Sequence, residues 1–190
     1  MAENEVIKGC KAVLIGGSTG SIDVLLSLLP ALRSPLPYAL IIVLHRKNTA
    51  DSNLANLFAL KTSISLVEVD DKDPIVPGNI YLAPADYHLL LEQDGTFSLD
   101  DSEKINYSRP SIDVTFESAA DVYGPSLLGI LLSGANADGT NGLKAIKKAG
   151  GYIAVQQPES AQVGFMPRQA MLTMPVDYVL DVSEMITLLT

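Results

Sequence analysis

The stretch Ala12-Val13-Leu14-Ile15-Gly16-Gly17-Ser18-Thr19-Gly20-Ser21-Ile22-Asp23 carries the strongest local signal in the chain. Its apolar residues predict a buried strand, its glycines predict a tight turn, and the apolar residues that follow recur at helical spacing. The pattern Gly16-x-Ser18-x-Gly20 has the spacing of a nucleophile elbow, a strand-to-helix turn that exposes a serine hydroxyl. A glycine-rich turn before a helix could equally hold a phosphate. Two interpretations therefore follow, a serine hydrolase and a nucleotide-binding protein.

Strand-like and helix-like segments alternate on both sides of this turn. Predicted strands cover residues 11–15, 38–44, 63–69, 79–83, 88–92, 96–99, 126–132, 152–156 and 178–180. Predicted helices cover residues 22–32, where Pro30 should end or bend the helix, and residues 49–60, 112–123, 143–149, 167–171 and 183–190. Asp94-Gly95 lies between two short strands and predicts a hairpin, so the turn-rich section 74–100 is expected to be antiparallel and at a sheet edge.

This order of segments predicts one fold class. Repeated strand-helix-strand units favour an α/β protein with a doubly wound, mainly parallel sheet, an antiparallel edge hairpin and helices on both faces. We expect residues 1–10 to form an N-terminal tail and residues 11–190 to form a single domain, since 190 residues suffice for one well-packed core.

Composition excludes several classes of function. Thirteen basic and 22 acidic residues give a net charge of -9, which argues against a nucleic-acid partner because phosphate binding needs a basic surface. No apolar run approaches the ~20 residues that span a bilayer, so we expect no membrane insertion. The acidic N-terminus lacks a signal-peptide core, and a single cysteine fits a reducing compartment, so we expect a cytoplasmic protein. Two histidines and one cysteine without zinc-ligand spacing predict no metal site.

Three residue types suited to nucleophilic catalysis follow predicted strands. Ser18 follows the first strand, His45 ends the strand 38–44, and Asp138 lies in the loop after the strand 126–132. Histidine can accept the serine proton near neutral pH, and a carboxylate can orient the imidazole. Because the carboxyl ends of parallel strands meet at one edge of the sheet, these residues are expected to lie together.

Each candidate also has a structural interpretation. Ser18 could cap the following helix, His45 could be a hydrogen-bonded structural residue, and Asp138 could belong to an ordinary turn. His88 is the rival base, although a role at an edge strand or at the site rim is the favoured interpretation for it. For Met166, composition favours packing over substrate contact.

The nucleotide interpretation fits the sequence less well than the hydrolase interpretation. Ser18 occupies the place of the second glycine of a dinucleotide fingerprint, and no Walker lysine follows the glycines. His45 stands where the ribose-binding acid would be, although Arg46 and Lys47 could contact a 2′-phosphate. The common α/β-hydrolase family is also disfavoured, because its triad runs serine, acid, histidine along the chain.

The chain resembles one known family from about residue 11 to its C-terminus. The resemblance rests on the ordered motifs Ile15-Gly16-Gly17-Ser18-Thr19-Gly20, the strand ending in His45, Val76-Pro77-Gly78-Asn79-Ile80-Tyr81-Leu82-Ala83-Pro84, Arg109-Pro110-Ser111-Ile112-Asp113, Gly129-Ile130-Leu131-Leu132-Ser133-Gly134 with Asp138-Gly139, and Gly164-Phe165-Met166-Pro167-Arg168. These motifs are similar to those of the catalytic domain of CheB, the bacterial chemotaxis protein-glutamate methylesterase.

The resemblance implies an activity, partners and residue roles. Members hydrolyse glutamate γ-methyl esters on chemoreceptor cytoplasmic helices, release methanol, and also deamidate receptor glutamines. The family's catalytic positions map onto Ser18 as nucleophile, His45 as base and Asp138 as orienting acid. Backbone N–H groups near Thr19 and Ala135 are expected to stabilise the oxyanion. Met166 is a further oxyanion or substrate candidate, and no cofactor is implied.

Several positions depart from the usual family pattern. Ser21 replaces a glycine, Arg46 and Lys47 replace the usual His-x-Pro continuation, and Ala135 replaces a methionine. Family members normally carry an N-terminal receiver domain, whereas about ten residues precede the first strand here. We therefore expect activity without a fused receiver, or regulation in trans by a response-regulator or kinase partner. The alternative is a catalytically impaired module of the same fold that binds a receptor or signalling protein.

Overall fold

The computed structural model describes residues 3–46 and 53–190, with side chains from residue 6 onward. Nine strands are described: β1 (Ala12–Gly17), β2 (Ala39–Leu44), β3 (Leu66–Glu68), β4 (Ile80–Leu82), β5 (His88–Leu91), β6 (Phe97–Asp100), β7 (Leu127–Leu131), β8 (Tyr152–Gln156) and β9 (Tyr178–Leu180). The helices in the same part of the chain are α1 (Glu3–Gly9), α2 (Ser21–Leu28), α3 (Leu54–Ala59), α4 (Ile112–Tyr123), α5 (Thr140–Lys148), α6 (Phe165–Thr173) and α7 (Val182–Leu189).

Seven strands form one parallel sheet in the order β3-β4-β2-β1-β7-β8-β9. The central strands β1, β2 and β7 are buried along their whole length, as expected of continuous apolar strands covered on both faces. Strands β5 and β6 pair antiparallel in a separate two-stranded sheet. The predicted α/β class, with a mainly parallel sheet and an antiparallel hairpin, is therefore confirmed.

Side chains of successive strand residues point to opposite faces and feed two cores. On one face, Val13 and Ile15 of β1 pack in a cluster that includes residues of α2 and α7. On the other face, Leu14 packs in a cluster that includes α4, α5, α6 and the β5–β6 hairpin. Helices on both faces were predicted, and this arrangement is also confirmed.

The boundary between β1 and β7 is the topological switch point of the sheet. The chain builds β2, β3 and β4 on one side of β1 and then returns to place β7 on the other side. Loops at the carboxyl ends of strands beside such a switch form the usual binding crevice of open α/β sheets. Ser18 and Asp138 follow these two strands, and His45 follows β2.

Some local predictions differ from the structure. Gly16 and Gly17 belong to β1, so the turn begins at Ser18. The section 74–100 was expected to be antiparallel and at a sheet edge, but its first strand, β4, pairs parallel with β2 and β3 inside the main sheet. Of the strands in this section β5 and β6 are antiparallel, and they form a separate sheet that is not paired with an edge of the main one. Residues 3–9, assigned to a tail, form α1. The helix predicted at 49–60 spans Leu54–Ala59, and its first residues lie outside the described part.

Pro30 has the predicted effect: α2 stops at Leu28 and continues only as a short 3-10 turn. Within the described residues, no helix is both long enough and apolar enough to cross a membrane.

Candidate active site

Ser18 and His45 follow paired residues at the ends of neighbouring strands. Gly17 of β1 is in register with Leu44 of β2, and the backbone N–H of His45 donates to the Gly17 carbonyl at 3.1 Å. Parallel strands lie about 4.8 Å apart, so the residues that leave them start from adjacent positions. The structure thus brings together the first two residues predicted for the site.

Ser18 is half-buried at the turn between β1 and α2. In the described part of the chain no residue forms a hydrogen bond to its hydroxyl. Its Cβ lies against Gly134, where an added Cβ would approach it to 3.1 Å. The backbone N–H of Ser18 donates to the Ser133 carbonyl at 2.9 Å, which ties the turn to the end of β7. The side chain therefore extends from a fixed backbone toward the crevice.

The side chain of Ser21 stabilises this turn by hydrogen bonds. Its fully buried Oγ accepts from the Ser18 N–H at 3.1 Å and donates to the Ser133 carbonyl at 2.8 Å. Gly17 leaves the room for it, because a Cβ at Gly17 would lie 2.2 Å from the Ser21 Oγ. The departure from the family glycine is thus a buried brace and does not face the crevice.

Asp138 is fully buried, and its carboxylate is surrounded by donors. His45 Nε2 lies 2.7 Å from Oδ2, and the backbone N–H of Ile112 donates to the same oxygen at 2.7 Å. Three more donors in the described chain reach Oδ1, namely Asn106 Nδ2 at 2.9 Å, Ser111 Oγ at 2.9 Å and the backbone N–H of Asp113 at 3.1 Å. Asp138 therefore acts as the anion at the N-terminus of α4, where the helix dipole favours negative charge.

These contacts decide the protonation of the pair. Burial raises the pKa of Asp138, but hydrogen bonds from His45, Asn106 and the backbone of Ile112 outweigh it and hold the pKa below its usual range. An ionised carboxylate only accepts hydrogen bonds, so His45 carries its proton on Nε2. Nδ1 is then the ring nitrogen that does not face Asp138.

The backbone N–H groups of Thr19 and Ala135 lie near the serine and have no acceptor among the described residues. Both residues are exposed at the crevice. The Ser133 hydroxyl donates to the Thr19 carbonyl at 2.6 Å and accepts from the Val163 N–H at 2.9 Å, which fixes the peptide after Thr19. N–H groups that are free and held in place can stabilise an oxyanion.

Met166 is completely buried. It packs on Gly134, where an added Cβ would lie 2.4 Å from its Cε, and its N–H donates to the Gly134 carbonyl at 3.0 Å. Its side chain thus supports the loop beside Ser18 from inside the second core.

His88 has no ring nitrogen available to act as a base. It is fully buried, its Nε2 donates to the Glu103 carbonyl at 2.9 Å, and its Nδ1 accepts from the Ser111 N–H at 3.1 Å. Both ring nitrogens are occupied by backbone groups, so His88 is a structural residue that holds the start of α4.

Arg46, one of the two residues suggested for phosphate binding, has other partners. Arg46 points along the sheet, where its Nη1 pairs with Glu68 Oε2 at 2.8 Å and reaches the Ala83 carbonyl at 3.3 Å. Lys47 lies outside the described residues. A Cβ at Gly16 would lie 2.5 Å from Ile112 Cγ2, so this glycine admits a packed helix and leaves no phosphate cradle. No cluster of metal-ligand residues occurs in the described part.

Sequence reasoning missed the roles of Asn106 and Asp113, which both contact Asp138. Asp113 is 4% exposed and accepts from the Gly142 N–H at 2.7 Å and from Asn106 Nδ2 at 3.0 Å. Burial raises the pKa of Asp113, and the neighbouring Asp138 adds to this rise. An aspartate at the start of a predicted helix and an asparagine in the preceding loop were the available signals, and both also fit ordinary capping.

The fold and the geometry define a class: an α/β protein with a serine turn, a histidine and a buried aspartate at the switch point, the residue types of serine hydrolases. A family model for the CheB methylesterase matches residues 13–189. The chain belongs to the CheB methylesterase family.

Individual relatives agree with this assignment. A Leptospira interrogans protein is 41% identical over 174 residues, which cover 92% of this chain and 90% of that protein. A Thermotoga maritima protein named protein-glutamate methylesterase/protein-glutamine glutaminase is 34% identical over 173 residues, covering 90% of this chain but 50% of the relative. The crystal structure of the Thermotoga maritima CheB methylesterase catalytic domain matches with a TM-score of 0.90 and 33% identity, covering 95% of this chain and 97% of that one.

Proposed function

We propose that the protein is a protein-glutamate methylesterase that also deamidates glutamine, with chemoreceptor side chains as substrates and Ser18, His45 and Asp138 as its catalytic residues. The observation that carries the proposal is the 2.7 Å hydrogen bond between His45 Nε2 and the buried Asp138 carboxylate, at the strand end beside Ser18. The names of the relatives supply the substrate class.

In the first half-reaction the Ser18 Oγ attacks the carbonyl carbon of the glutamate methyl ester, and His45 Nδ1 takes the hydroxyl proton. The imidazolium is stabilised by the Asp138 carboxylate, to which it donates through Nε2. The oxyanion is received by the N–H groups of Thr19 and Ala135, and such a donor is typically worth ~3–4 kcal/mol. Collapse breaks the bond to methoxide, which takes the proton from His45 and leaves as methanol.

In the second half-reaction water attacks the acyl group on Ser18, and His45 accepts its proton. Collapse returns the proton to the Ser18 oxygen and releases the glutamic acid side chain, which loses its remaining carboxyl proton to solvent and becomes a carboxylate. The same steps with a glutamine side chain release ammonia in place of methanol. We propose receptor cytoplasmic helices as the partner, and a response regulator or kinase in trans as the source of regulation.

The alternative, a binding module without activity, is separated from an enzyme by a serine-directed probe. A fluorophosphonate needs only an activated serine and no receptor, so we expect a single adduct on Ser18. Ser27→Ala is the matched control, because Ser27 is an exposed serine on α2 whose hydroxyl donates only to the Asp23 carbonyl. Binding of methylated receptor without any adduct would support the module and contradict the proposed hydrolysis.

A further inference from the structure

Residues 105–108 form a tight turn beside the candidate site. The backbone N–H groups of Ile105 and Ser108 each donate to the other residue's carbonyl, at 3.2 and 2.9 Å. The two central residues, Asn106 and Tyr107, have positive φ values of 52° and 63°. Such two-residue turns favour asparagine first and glycine second. Tyr107 is 98% exposed, so its side chain is not what holds this turn in place.

The side chain of Asn106 anchors the turn to two buried carboxylates. Its Nδ2 donates to Asp138 Oδ1 at 2.9 Å and to Asp113 Oδ2 at 3.0 Å. A carboxamide nitrogen carries two protons, so both are used on these carboxylates. Asp138 is fully buried and Asp113 is 4% exposed, so each hydrogen bond joins the exposed residue Asn106 to a buried carboxylate.

The charges around this pair make the bridge important. Asp138 faces His45 and Asp113, while Glu117 on α4 adds a further carboxyl whose pKa is raised by burial and then by Asp113. Burial and the Asp138 charge raise the pKa of Asp113. Without a donor between them, the carboxylates of Asp138 and Asp113 would repel each other, and this repulsion would favour protonation of one of them.

We propose that Asn106 is a positioning residue for the hydrolysis proposed above, whose amide bridges Asp138 and Asp113 and fixes the Asp138 carboxylate with Oδ2 toward His45. Ser111 and the backbone of Asp113 also donate to Oδ1, but among the residues that the structure describes only Asn106 donates to both side chains. This inference rests on the proposed function for its kinetic test and on the His45–Asp138 contact for its spectroscopic test.

The test compares two variants in the same turn. Asn106→Gly removes the amide and keeps the freedom for positive φ, and Tyr107→Gly is the control that keeps the amide. We expect Asn106→Gly to lower kcat for methyl-ester hydrolysis roughly ten- to a hundredfold with little change in KM, because it removes hydrogen bonds to charged groups. The acid limb of its kcat/KM profile should move to higher pH, and Tyr107→Gly should retain the wild-type kcat and pH profile.

A second substitution tests the electrostatic part. Asp113→Asn removes the repelling charge, so adding it to Asn106→Gly should move the acid limb back toward that of the wild type. A purely structural role for Asn106 would not produce this recovery. Asn106→Ser, which offers one donor in place of two, replaces Asn106→Gly if the glycine variant does not fold.

A substrate-independent readout separates failure of this inference from failure of the proposed function. With only two histidines, the proton on Nε2 of His45 can be assigned in ¹⁵N-histidine spectra of the whole chain, with His88 as internal reference. Its strongly hydrogen-bonded resonance should persist in Tyr107→Gly and be lost or shifted upfield in Asn106→Gly. An unchanged resonance, or a wild-type kcat and pH profile in a folded Asn106→Gly variant, would overturn the positioning role.

Discussion

The Nδ1 atom of His88 accepts a hydrogen bond from the backbone N–H of Ser111 at 3.1 Å. Ser111 is the residue before α4, and its hydroxyl donates to Asp138 Oδ1. A histidine outside the proposed catalytic residues is therefore connected, through one residue, to the carboxylate that contacts His45. The two histidines of the chain accordingly have different roles, one proposed as chemical and one structural.

Replacing the histidines one at a time should separate these roles. We expect His45→Gln to lower kcat by about 10³-fold, since no proton acceptor would remain, with a small change in the free energy of unfolding. His88→Gln should lower the free energy of unfolding by about 2 kcal/mol, because buried backbone groups lose their partners. Denaturant unfolding and ester hydrolysis measured on both variants provide the check. A His88 variant that is fully stable but inactive would contradict this division.

Ser21 offers a prediction at a position where this chain departs from its family. Ser21→Gly removes a buried hydroxyl that joins Ser18 to Ser133, so the free energy of unfolding should fall by about 1–2 kcal/mol. Fluorophosphonate labelling of Ser18 should slow several-fold because the turn is held less firmly. Ser27→Ala, on the same helix, should change stability by less than about 0.5 kcal/mol. Equal effects of the two substitutions would argue against the brace.

The two buried aspartates predict opposite pH dependences of stability. The pKa of Asp138 is lowered in the folded state, so its ionised carboxylate stabilises the fold at pH values above its pKa in the unfolded chain, about 3.9. This stabilisation is lost as the pH falls through the folded pKa. The pKa of Asp113 is raised, so its contribution is present below the unfolded value and is lost as pH rises through the folded pKa.

Unfolding measured against pH tests these signs. The stability lost in Asp138→Asn should be largest near neutral pH and should shrink as pH falls below about 4. The free energy of unfolding of Asp113→Asn, relative to that of the wild type, should be higher at pH 7 than at pH 3. If the loss in the free energy of unfolding caused by Asp138→Asn did not vary with pH, the surrounding donors would not be stabilising the charge of Asp138.

The parallel framework was predictable because continuous apolar strands such as β1, β2 and β7 alternate with amphipathic helices. The proximity of Ser18, His45 and Asp138 followed from their places at the carboxyl ends of strands. The parallel pairing of β4 was not predictable from a three-residue strand in a turn-rich section, because only the neighbouring strands determine its direction.

The hydrogen bonds that hold the candidate site in place could not be predicted from the sequence either. Asn106 reaches Asp138 across 32 residues and Ser21 reaches Ser133 across 112, and no local pattern encodes such contacts. Ser111 directly precedes α4, and its hydroxyl donates to Asp138, whose carboxylate also accepts the N–H groups of Ile112 and Asp113 at the start of the helix. These partners depend on the tertiary fold.

The most direct test of the central claim is methanol release from a methylated chemoreceptor by the wild type and by Ser18→Ala, with Ser27→Ala as the folded control. We predict release by the wild type and by Ser27→Ala, and release at the uncatalysed background by Ser18→Ala. Undiminished release by Ser18→Ala would contradict the assignment of the nucleophile, and no release by a folded wild type would contradict the proposed esterase activity.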